Sequence, residues 1–189
     1  SEIKGREVLD SRGNPTVEAI VTLSNGLSAH AMVPSGASTG AYEAVELRDN
    51  DEARYGGKGV LQAVSNIDYI LAPQLIGLSP DDLALVDSTM IAIDGTPDKS
   101  NVGANAILAV SMATARVASE ANGYNGLLWK FLSRDNVVTL PVPMLNILNG
   151  GRHASNSTDI QEFMVLPIGF DTFSDALRCG AEIYQTLKN

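Results

Sequence analysis

Residues 16–33 read TVEAIVTLSNGLSAHAMV. In the first half of this stretch, apolar residues occupy every second position (17, 19, 21 and 23), which is the pattern of a half-buried strand. Asn25-Gly26 follows and is a strong hairpin signal, because both residues tolerate positive φ. The alternation then resumes from Leu27 to Val33. The stretch therefore predicts two antiparallel strands joined by a tight turn.

The segments on either side extend this prediction. Residues 10–15 read DSRGNP, which is dense in turn formers and predicts a tight loop before the first strand. Residues 35–40 read SGASTG, a run of small residues without an apolar anchor, so we expect this loop to be mobile. A short third strand over Tyr42–Leu47 would complete a three-stranded antiparallel meander.

Helices fill the middle of the chain. Apolar residues recur at helical spacing over 60–71, and Ser79-Pro80, followed by two acids, indicates the start of a second helix that ends at Asp94-Gly95. Asn105–Ala121 is typical of a buried helix, and Leu127–Leu132 predicts a further one. The first part of the chain is therefore expected to be an α+β domain.

The pattern changes after residue 140. Residues 141–151 read PVPMLNILNGG, which predicts a buried strand running into a Gly-rich turn. Ile160–Leu166 is a second predicted strand, and Phe173–Leu187 is a predicted amphipathic helix. Strands that alternate with a helix indicate the start of an α/β organisation.

This change places a domain boundary near residues 133–140. We therefore expect one domain at 1–135 and the start of another at 136–189. The second stretch is too short to close a barrel or to build an independent core.

Composition excludes several classes of function. The 189 residues are 44% apolar and 19% charged, with a formal net charge of −9, which argues against a nucleic-acid binder that neutralises phosphates. The lone cysteine, Cys179, allows no intramolecular disulfide, and we expect it to be a small buried apolar residue. No apolar run is long enough for a membrane span, and no signal-peptide pattern is visible. A cytoplasmic location is the expectation, and display at a surface or secretion is not readable from the sequence.

Two loop features are candidates for chemistry. The 35–40 loop could hold an anion through its backbone N–H groups, or it could be a flexible connector. His153 follows Gly150-Gly151 just after a predicted strand, where α/β folds place catalytic residues. A histidine that only hydrogen-bonds the loop backbone would explain His153 equally well. His30, which lies between two alanines of the hairpin, is expected to face solvent.

A polar cluster opens the strand near residue 160. Asp159, Gln161 and Glu162 stand at the start of an otherwise apolar run. Strict alternation would send Gln161 and Glu162 to opposite faces, so a common site requires an irregular strand end or a site across its tip. A solvated strand end explains the cluster as well as a site does.

Several short motifs, taken in order, resemble one known family across nearly the whole chain. They are Gly5–Glu7, Asp10–Glu18, Pro34–Gly40, Glu46–Asp49, Gly57–Val60, Gly103–Leu108, Pro141–Pro143, Asn146–Gly151, His153-Ala154 and Gln161–Met164. As an ordered set they resemble enolase (phosphopyruvate hydratase). The Asn156–Glu162 stretch is more similar to bacterial enolases than to animal ones.

The resemblance implies a fold and a reaction. The fold would be an α+β cap domain followed by a (β/α) barrel whose first strands are unusual in direction. The reaction would be the reversible dehydration of 2-phosphoglycerate to phosphoenolpyruvate in glycolysis. Removing a proton beside a carboxylate makes a dianionic intermediate, and enolase-superfamily sites stabilise such charge with one or two Mg²⁺ ions.

The same resemblance assigns roles to residues of this sequence. Ser38 would supply oxygen to the second, substrate-recruited Mg²⁺, and Gly36 and Ala37 would lie against the substrate. His153 would contact or help to orient the substrate phosphate. Gln161 and Glu162 would lie in the substrate pocket, with Glu162 as a catalytic residue near the departing hydroxide. The family also implies a homo-oligomer, a dimer or larger.

The remaining catalytic groups would lie elsewhere. The family's base lysine, its partner glutamate and the carboxylates of the first Mg²⁺ correspond to positions beyond Asn189. We therefore expect this chain alone neither to bind catalytic Mg²⁺ tightly nor to turn over 2-phosphoglycerate. The alternative is an enolase-derived binding module without catalysis. A nucleotide-binding domain is a third reading, but it lacks a Walker-type phosphate loop.

Overall fold

A three-stranded antiparallel sheet organises the first part of the chain. The computed structural model describes residues 1–36, 40, 42–133, 138–151 and 158–188. Contacts divide the chain into two units, Ser1–Arg134 and Asp135–Asn189. The strands of the first unit are β1 (Glu2–Leu9), β2 (Pro15–Thr22) and β3 (Ser28–Met32), in the spatial order β1-β2-β3.

The predicted hairpin is confirmed. β2 pairs with β3 so that Ala19 lies opposite Ala31, and Gly26 takes a φ of 86° in the turn between the strands. The expected tight loop before β2 is also present, since the N–H of Asp10 donates to the Asn14 carbonyl at 2.8 Å. Sequence periodicity was sufficient here because the β2 residues facing the helices are all apolar.

The predicted position of the third strand is wrong. Residues 42–47 form no strand, and instead the Val45 N–H donates to the Asp98 carbonyl while the Val45 carbonyl accepts from the Ala104 N–H. The third strand is β1, which precedes the hairpin. Periodicity missed β1 because its half-buried face carries Ile3, then Gly5, then Glu7, and so shows no apolar alternation.

Helices cover one face of the sheet. They are α1 (Leu61–Asn66), a π-helical turn (Ile67–Leu71), α2 (Ala72–Leu75), α3 (Leu83–Asp94), α4 (Ala104–Ala121) and α5 (Leu128–Ser133). Helix α4 packs on β2 and β3, and its buried face is mostly Ala and Val, which lets the helix approach the sheet closely. The core of this unit lies between α4, the sheet and the buried side chains of Ile67, Leu71 and Met90.

The start of α3 differs from the prediction. The helix begins at Leu83, and Asp82 is its N-cap, because the Asp82 carboxylate accepts the Leu85 N–H at 3.0 Å. Ser79 instead belongs to the preceding turn, in which its carbonyl accepts the Asp82 N–H. The predicted end is confirmed, since Gly95 adopts the left-handed conformation with φ 70°.

The second unit consists of a two-stranded sheet followed by a helix. Strands β4 (Leu145–Asn149) and β5 (Glu162–Val165) pair antiparallel, with an irregularity between Asn146 and Leu148, and α6 (Phe173–Lys188) follows. The described residues of this unit form no closed barrel. Cys179 on α6 is only partly buried, so the expectation of a fully buried thiol is wrong in this structure. Across the described ranges, no helix is both long and apolar enough to cross a membrane.

Candidate functional site

In the first unit, the entry to the 35–40 loop is fixed by hydrogen bonds to Ser35. The Ser35 hydroxyl donates to Glu46 Oε1 at 2.9 Å and accepts from Arg48 Nη2 at 2.8 Å. The Ser35 carbonyl accepts from Arg12 Nη2 at 3.1 Å. Both the side chain and the backbone of Ser35 are therefore held before the loop begins.

Arg48 is the centre of this arrangement. Its Nη2 also contacts the Glu46 carboxylate, and its Nη1 donates to the carbonyls of Pro15 and Lys58, each at 2.6 Å. One guanidinium thus joins the start of β2, the loop entry and the segment that leads into α1. The planar array of N–H donors on arginine suits such multiple contacts, whereas lysine presents a point charge.

Asp10 shapes the loop that presents Arg12. Asp10 Oδ1 accepts the backbone N–H groups of Arg12 at 2.8 Å and Asn14 at 2.9 Å. The hydrogen bond from the Asn14 N–H lowers the pKa of the Asp10 carboxyl below its ordinary value, and the Arg12 N–H adds to this effect. Partial desolvation of the carboxyl acts in the opposite direction but is outweighed. Asp10 therefore stays ionised and orders the turn that carries Arg12.

A second network fixes the segment that carries Lys58. Glu7 accepts from the Val60 N–H at 2.9 Å and from Arg54 Nη2 at 2.7 Å. Asp49 accepts the N–H groups of Leu61 and Gln62 at the start of α1, as a capping carboxylate does. These two largely buried carboxylates fix the backbone of residues 60–62, directly after the segment that carries Lys58.

The loop residues assigned from the sequence lie only partly within the described structure. Gly36 is described and is exposed, directly after the fixed Ser35. Ala37 and Ser38 lie outside the described residues. The sequence did not indicate that Arg12, Arg48 and Ser35 come together. They are separated by 13 to 36 positions, and no periodic pattern links them.

In the second unit, a glycine corner joins β4 to the segment before β5. The Gly150 N–H donates to the Gln161 carbonyl at 2.8 Å, and the Gly151 N–H donates to the Thr158 carbonyl at 2.7 Å. A Cβ placed on Gly150 would lie 2.3 Å from the Ile160 carbonyl oxygen, so only glycine fits. This close approach sets Asn149 opposite Glu162 in the ladder.

Polar side chains gather at this corner. Asn146 Nδ2 donates to Asn149 Oδ1 at 2.7 Å. Glu162 is the first residue of β5 and is exposed, and Gln161 lies just before the regular strand. Gln161 therefore lies outside the regular strand, so strict alternation does not set the direction of its side chain relative to that of Glu162. His153 lies outside the described residues.

His30 differs from its expected role. Its side chain is 57% exposed, but Nδ1 lies 2.6 Å from Oε1 of Glu18, whose own side chain is only 2% exposed. His30 and Glu18 are diagonal neighbours on adjacent strands, since Glu18 pairs with Met32 and Ile20 pairs with His30. His30 therefore helps to satisfy a buried carboxylate rather than merely facing solvent.

Metal ligands do not cluster in the part of the chain that the structure describes. Within 1–36, 40, 42–133, 138–151 and 158–188, no group of three or more His, Cys, Asp or Glu side chains is arranged to hold a metal ion.

Two family models match successive stretches of the chain. The model described as the enolase N-terminal domain matches residues 1–132. The model described as the enolase C-terminal TIM barrel domain matches residues 137–189. The matches follow one another in that order along the chain.

Proposed function

This chain belongs to the enolase family, and from that membership we propose that it serves, within an enzyme that has a complete barrel, in the reversible dehydration of 2-phosphoglycerate to phosphoenolpyruvate. The observation that carries the proposal is the succession of both enolase domain types on a single chain, over residues 1–132 and 137–189. The activity is that of a Mg²⁺-dependent carbon–oxygen lyase of glycolysis.

We place part of the substrate pocket at the glycine corner of the second unit. Because β4 and β5 are antiparallel, the start of β5 lies beside the carboxyl end of β4. Barrel enzymes carry their catalytic groups at the carboxyl ends of strands. Gln161 and Glu162 stand at this position, and His153 follows β4 in sequence.

Glu162 is the proposed catalytic residue of this chain. The leaving hydroxide of 2-phosphoglycerate needs a nearby group that can deliver or stabilise a proton, and a carboxyl group serves as a general acid or base in many sites. Glu162 is anchored through its backbone opposite Asn149, and its exposed side chain can reach a substrate. Gln161 and His153 are proposed to bind the substrate, His153 at its phosphate.

The loop of the first unit is proposed, on the basis of the family, to contribute to substrate binding. Its entry is fixed at Ser35 by Arg48, Glu46 and Arg12. Gly36 and Ala37 are proposed to contact the substrate, and Ser38 to provide an oxygen ligand.

Mg²⁺ is part of the proposal for the complete enzyme. When bound, two Mg²⁺ ions would offset the negative charge that develops on the substrate carboxylate. The described residues contain no metal-binding cluster. On the basis of the family, most of the Mg²⁺ ligands are proposed to come from the rest of a complete barrel. A polypeptide of these 189 residues alone is therefore proposed to be inactive. A cytoplasmic homo-oligomer is the proposed working form, on the basis of the family.

The test compares two glutamates of the second unit in an enzyme with a complete barrel. Glu162→Gln should lower kcat by about 10²–10⁴-fold, the usual contribution of a positioned acid or base. Glu182→Gln is the matched control on the exposed face of α6, and its kcat should be unchanged. Among the described residues, the Glu182 side chain makes one ion pair, with Arg178 at i,i−4. The readout is the ultraviolet absorbance of phosphoenolpyruvate.

Two outcomes would overturn the proposal. Equal kcat values for the two variants would remove Glu162 from the chemistry. Formation of phosphoenolpyruvate by the 189-residue polypeptide alone would show that the catalytic groups lie within it.

A further inference from the structure

A basic cleft opens at the surface of the first unit. It has a volume of about 280 Å³ and is lined by Arg12, Asn14, Ser35, Gly36, Glu46, Arg48 and Lys58. We call this set the basic cleft. Three of its seven residues are cationic and one is anionic, on a chain whose formal net charge is −9. Positive charge is therefore concentrated here against the overall charge of the protein.

The one carboxylate in the lining is already neutralised. Glu46 accepts from the Ser35 hydroxyl at 2.9 Å and contacts the Arg48 guanidinium directly. Arg48 is in turn fully engaged, since it also donates to the Pro15 and Lys58 carbonyls. Glu46 and Arg48 cancel each other, so the charge that remains in the cleft comes from Arg12 and Lys58.

Arg12 and Lys58 are held mainly by neutral oxygen atoms. Lys58 Nζ donates to Asn14 Oδ1 at 3.2 Å, and Arg12 Nη2 donates to the Ser35 carbonyl at 3.1 Å. Asp10 Oδ2 lies 3.5 Å from Arg12 at the edge of the cleft, while Asp10 Oδ1 is occupied by backbone N–H groups. Among the described residues, Lys58 makes no ion pair with a carboxylate. Lys58 is thus positioned without a carboxylate partner among the described residues, whereas Arg12 shares its charge with Asp10 at the edge of the cleft.

We propose that the basic cleft binds a small oxyanion, such as phosphate or the phosphate or carboxylate group of a metabolite. A guanidinium and an ammonium group that converge on one open space can donate several charge-assisted hydrogen bonds to such a group. A small anion suits the cleft better than a nucleic acid, because the negative charge of the chain repels an extended polyanion. The proposal is independent of the reaction proposed above.

Binding would be coupled to the loop entry. Arg12, which would contact the anion, also holds the Ser35 carbonyl. An anion in the cleft would therefore either draw the Arg12 guanidinium away from the Ser35 carbonyl or hold it there in a fixed orientation. This coupling predicts that the amide signal of Gly36 responds to the anion together with that of Lys58.

The test is a titration of the 189-residue protein with inorganic phosphate at constant ionic strength, followed by backbone amide chemical shifts. We expect saturable shifts at Asn14, Gly36 and Lys58. Loss of one charge-assisted contact in Lys58→Gln or Arg12→Gln should weaken binding roughly five- to tenfold. Lys58→Arg should retain binding. Lys4→Gln is the matched control, because Lys4 is exposed on β1 and, among the described residues, pairs with Glu2 alone.

Three results would overturn the proposal. Shifts that rise linearly without saturating would indicate no site. Equal affinities for Lys58→Gln and Lys4→Gln would place the binding elsewhere. If the unaltered protein binds no phosphate but Arg12→Gln changes the sedimentation of the protein, the cleft is instead a contact between copies of the chain. Lys58→Gln and Arg12→Gln should both leave the circular dichroism spectrum unchanged.

Discussion

Arg6 lies directly opposite Glu18 in the ladder between β1 and β2, and its Nε donates to the Glu18 carboxylate. The Glu18 side chain is 2% exposed, whereas that of Arg6 is 58% exposed. A buried carboxylate thus sits in the sheet next to a solvated cation. Burial alone would raise the pKa of Glu18, but hydrogen bonds from Arg6 and His30 outweigh it and hold that pKa below its usual value.

The first prediction concerns the charge on Glu18. Glu18→Gln should lower the free energy of unfolding by about 1–3 kcal/mol at neutral pH, because two partners lose a buried charged acceptor. The folded-state pKa of Glu18 is lower than the unfolded one, so its stabilisation is complete above the unfolded pKa and is lost as pH falls through the folded pKa. Urea unfolding across this acidic range should show the two proteins converging.

The control for this prediction is Glu2→Gln. Glu2 is 56% exposed and pairs with exposed Lys4, so its loss should cost well under about 1 kcal/mol. A stability difference for Glu18→Gln that stayed constant down to the most acidic pH tested would show that the charge of Glu18 is not the cause.

The second prediction concerns the close approach of β1 to the helical segment after residue 60. A Cβ on Gly5 would lie 3.1 Å from the Val64 carbonyl oxygen and 3.2 Å from Ile67. The Gly5 N–H also donates to Asp68 Oδ1 at 2.7 Å, so the strand cannot move away freely. Gly5→Ala should destabilise the protein by about 1–3 kcal/mol through overpacking, measured by thermal unfolding.

Gly40→Ala is the matched substitution for Gly5→Ala. Among the described residues, the atoms nearest to its Cβ would be those of the flexible Glu43 side chain, at 3.5 Å, and its φ is not positive. Gly40→Ala should therefore be neutral or slightly stabilising. Equal losses of stability for the two variants would remove the packing explanation.

The third prediction tests the glycine corner of the second unit. Gly150→Ala would place Cβ 2.3 Å from the Ile160 carbonyl and should break the hydrogen bonds that join β4 to the segment before β5. Amide hydrogen exchange at residues 150 and 151 should become faster. In an enzyme with a complete barrel, activity should fall as well, because the position of Glu162 depends on this corner.

Gly180→Ala provides the comparison. Its Cβ would meet the end of the Leu145 side chain, 2.4 Å from Cδ1, and a side chain can change rotamer where a backbone carbonyl cannot. The effect on exchange at residues 150 and 151 should therefore be smaller. A larger effect from Gly180→Ala than from Gly150→Ala would contradict the backbone argument.

The fourth prediction concerns a buried hydroxyl on α4. Ser119 Oγ is buried and has no hydrogen-bond partner among the described residues, which is a cost that the folded state carries. Ser119→Ala removes this unpaired group and improves helix propensity, so it should stabilise the protein by up to about 1 kcal/mol. Ser88→Ala on α3 is the control: it gains the same helix propensity but loses the hydrogen bond from its exposed hydroxyl to the Leu85 carbonyl, so it should stabilise less than Ser119→Ala. A loss of stability for Ser119→Ala would show that its hydroxyl has a partner.

Local patterns were enough to locate much of the fold. The period-two alternation and Asn25-Gly26 predicted the β2–β3 hairpin, and helical spacing predicted α4 almost to its ends. These signals work because burial of one face imposes a period on the sequence. The same method misplaced the third strand, because the half-buried face of β1 carries Gly5 and Glu7 and so shows no apolar period.

The sequence by itself determined the family, the two-part order of elements and the residue types at the glycine corner. It could not determine which distant polar groups meet. Arg48 joining Ser35, Pro15 and Lys58, and Glu18 lying between Arg6 and His30, follow from strand register and loop path. Hydrogen bonds between residues far apart in the chain leave no periodic trace, because they depend on where the backbone is placed in space. Only the tertiary structure decided them.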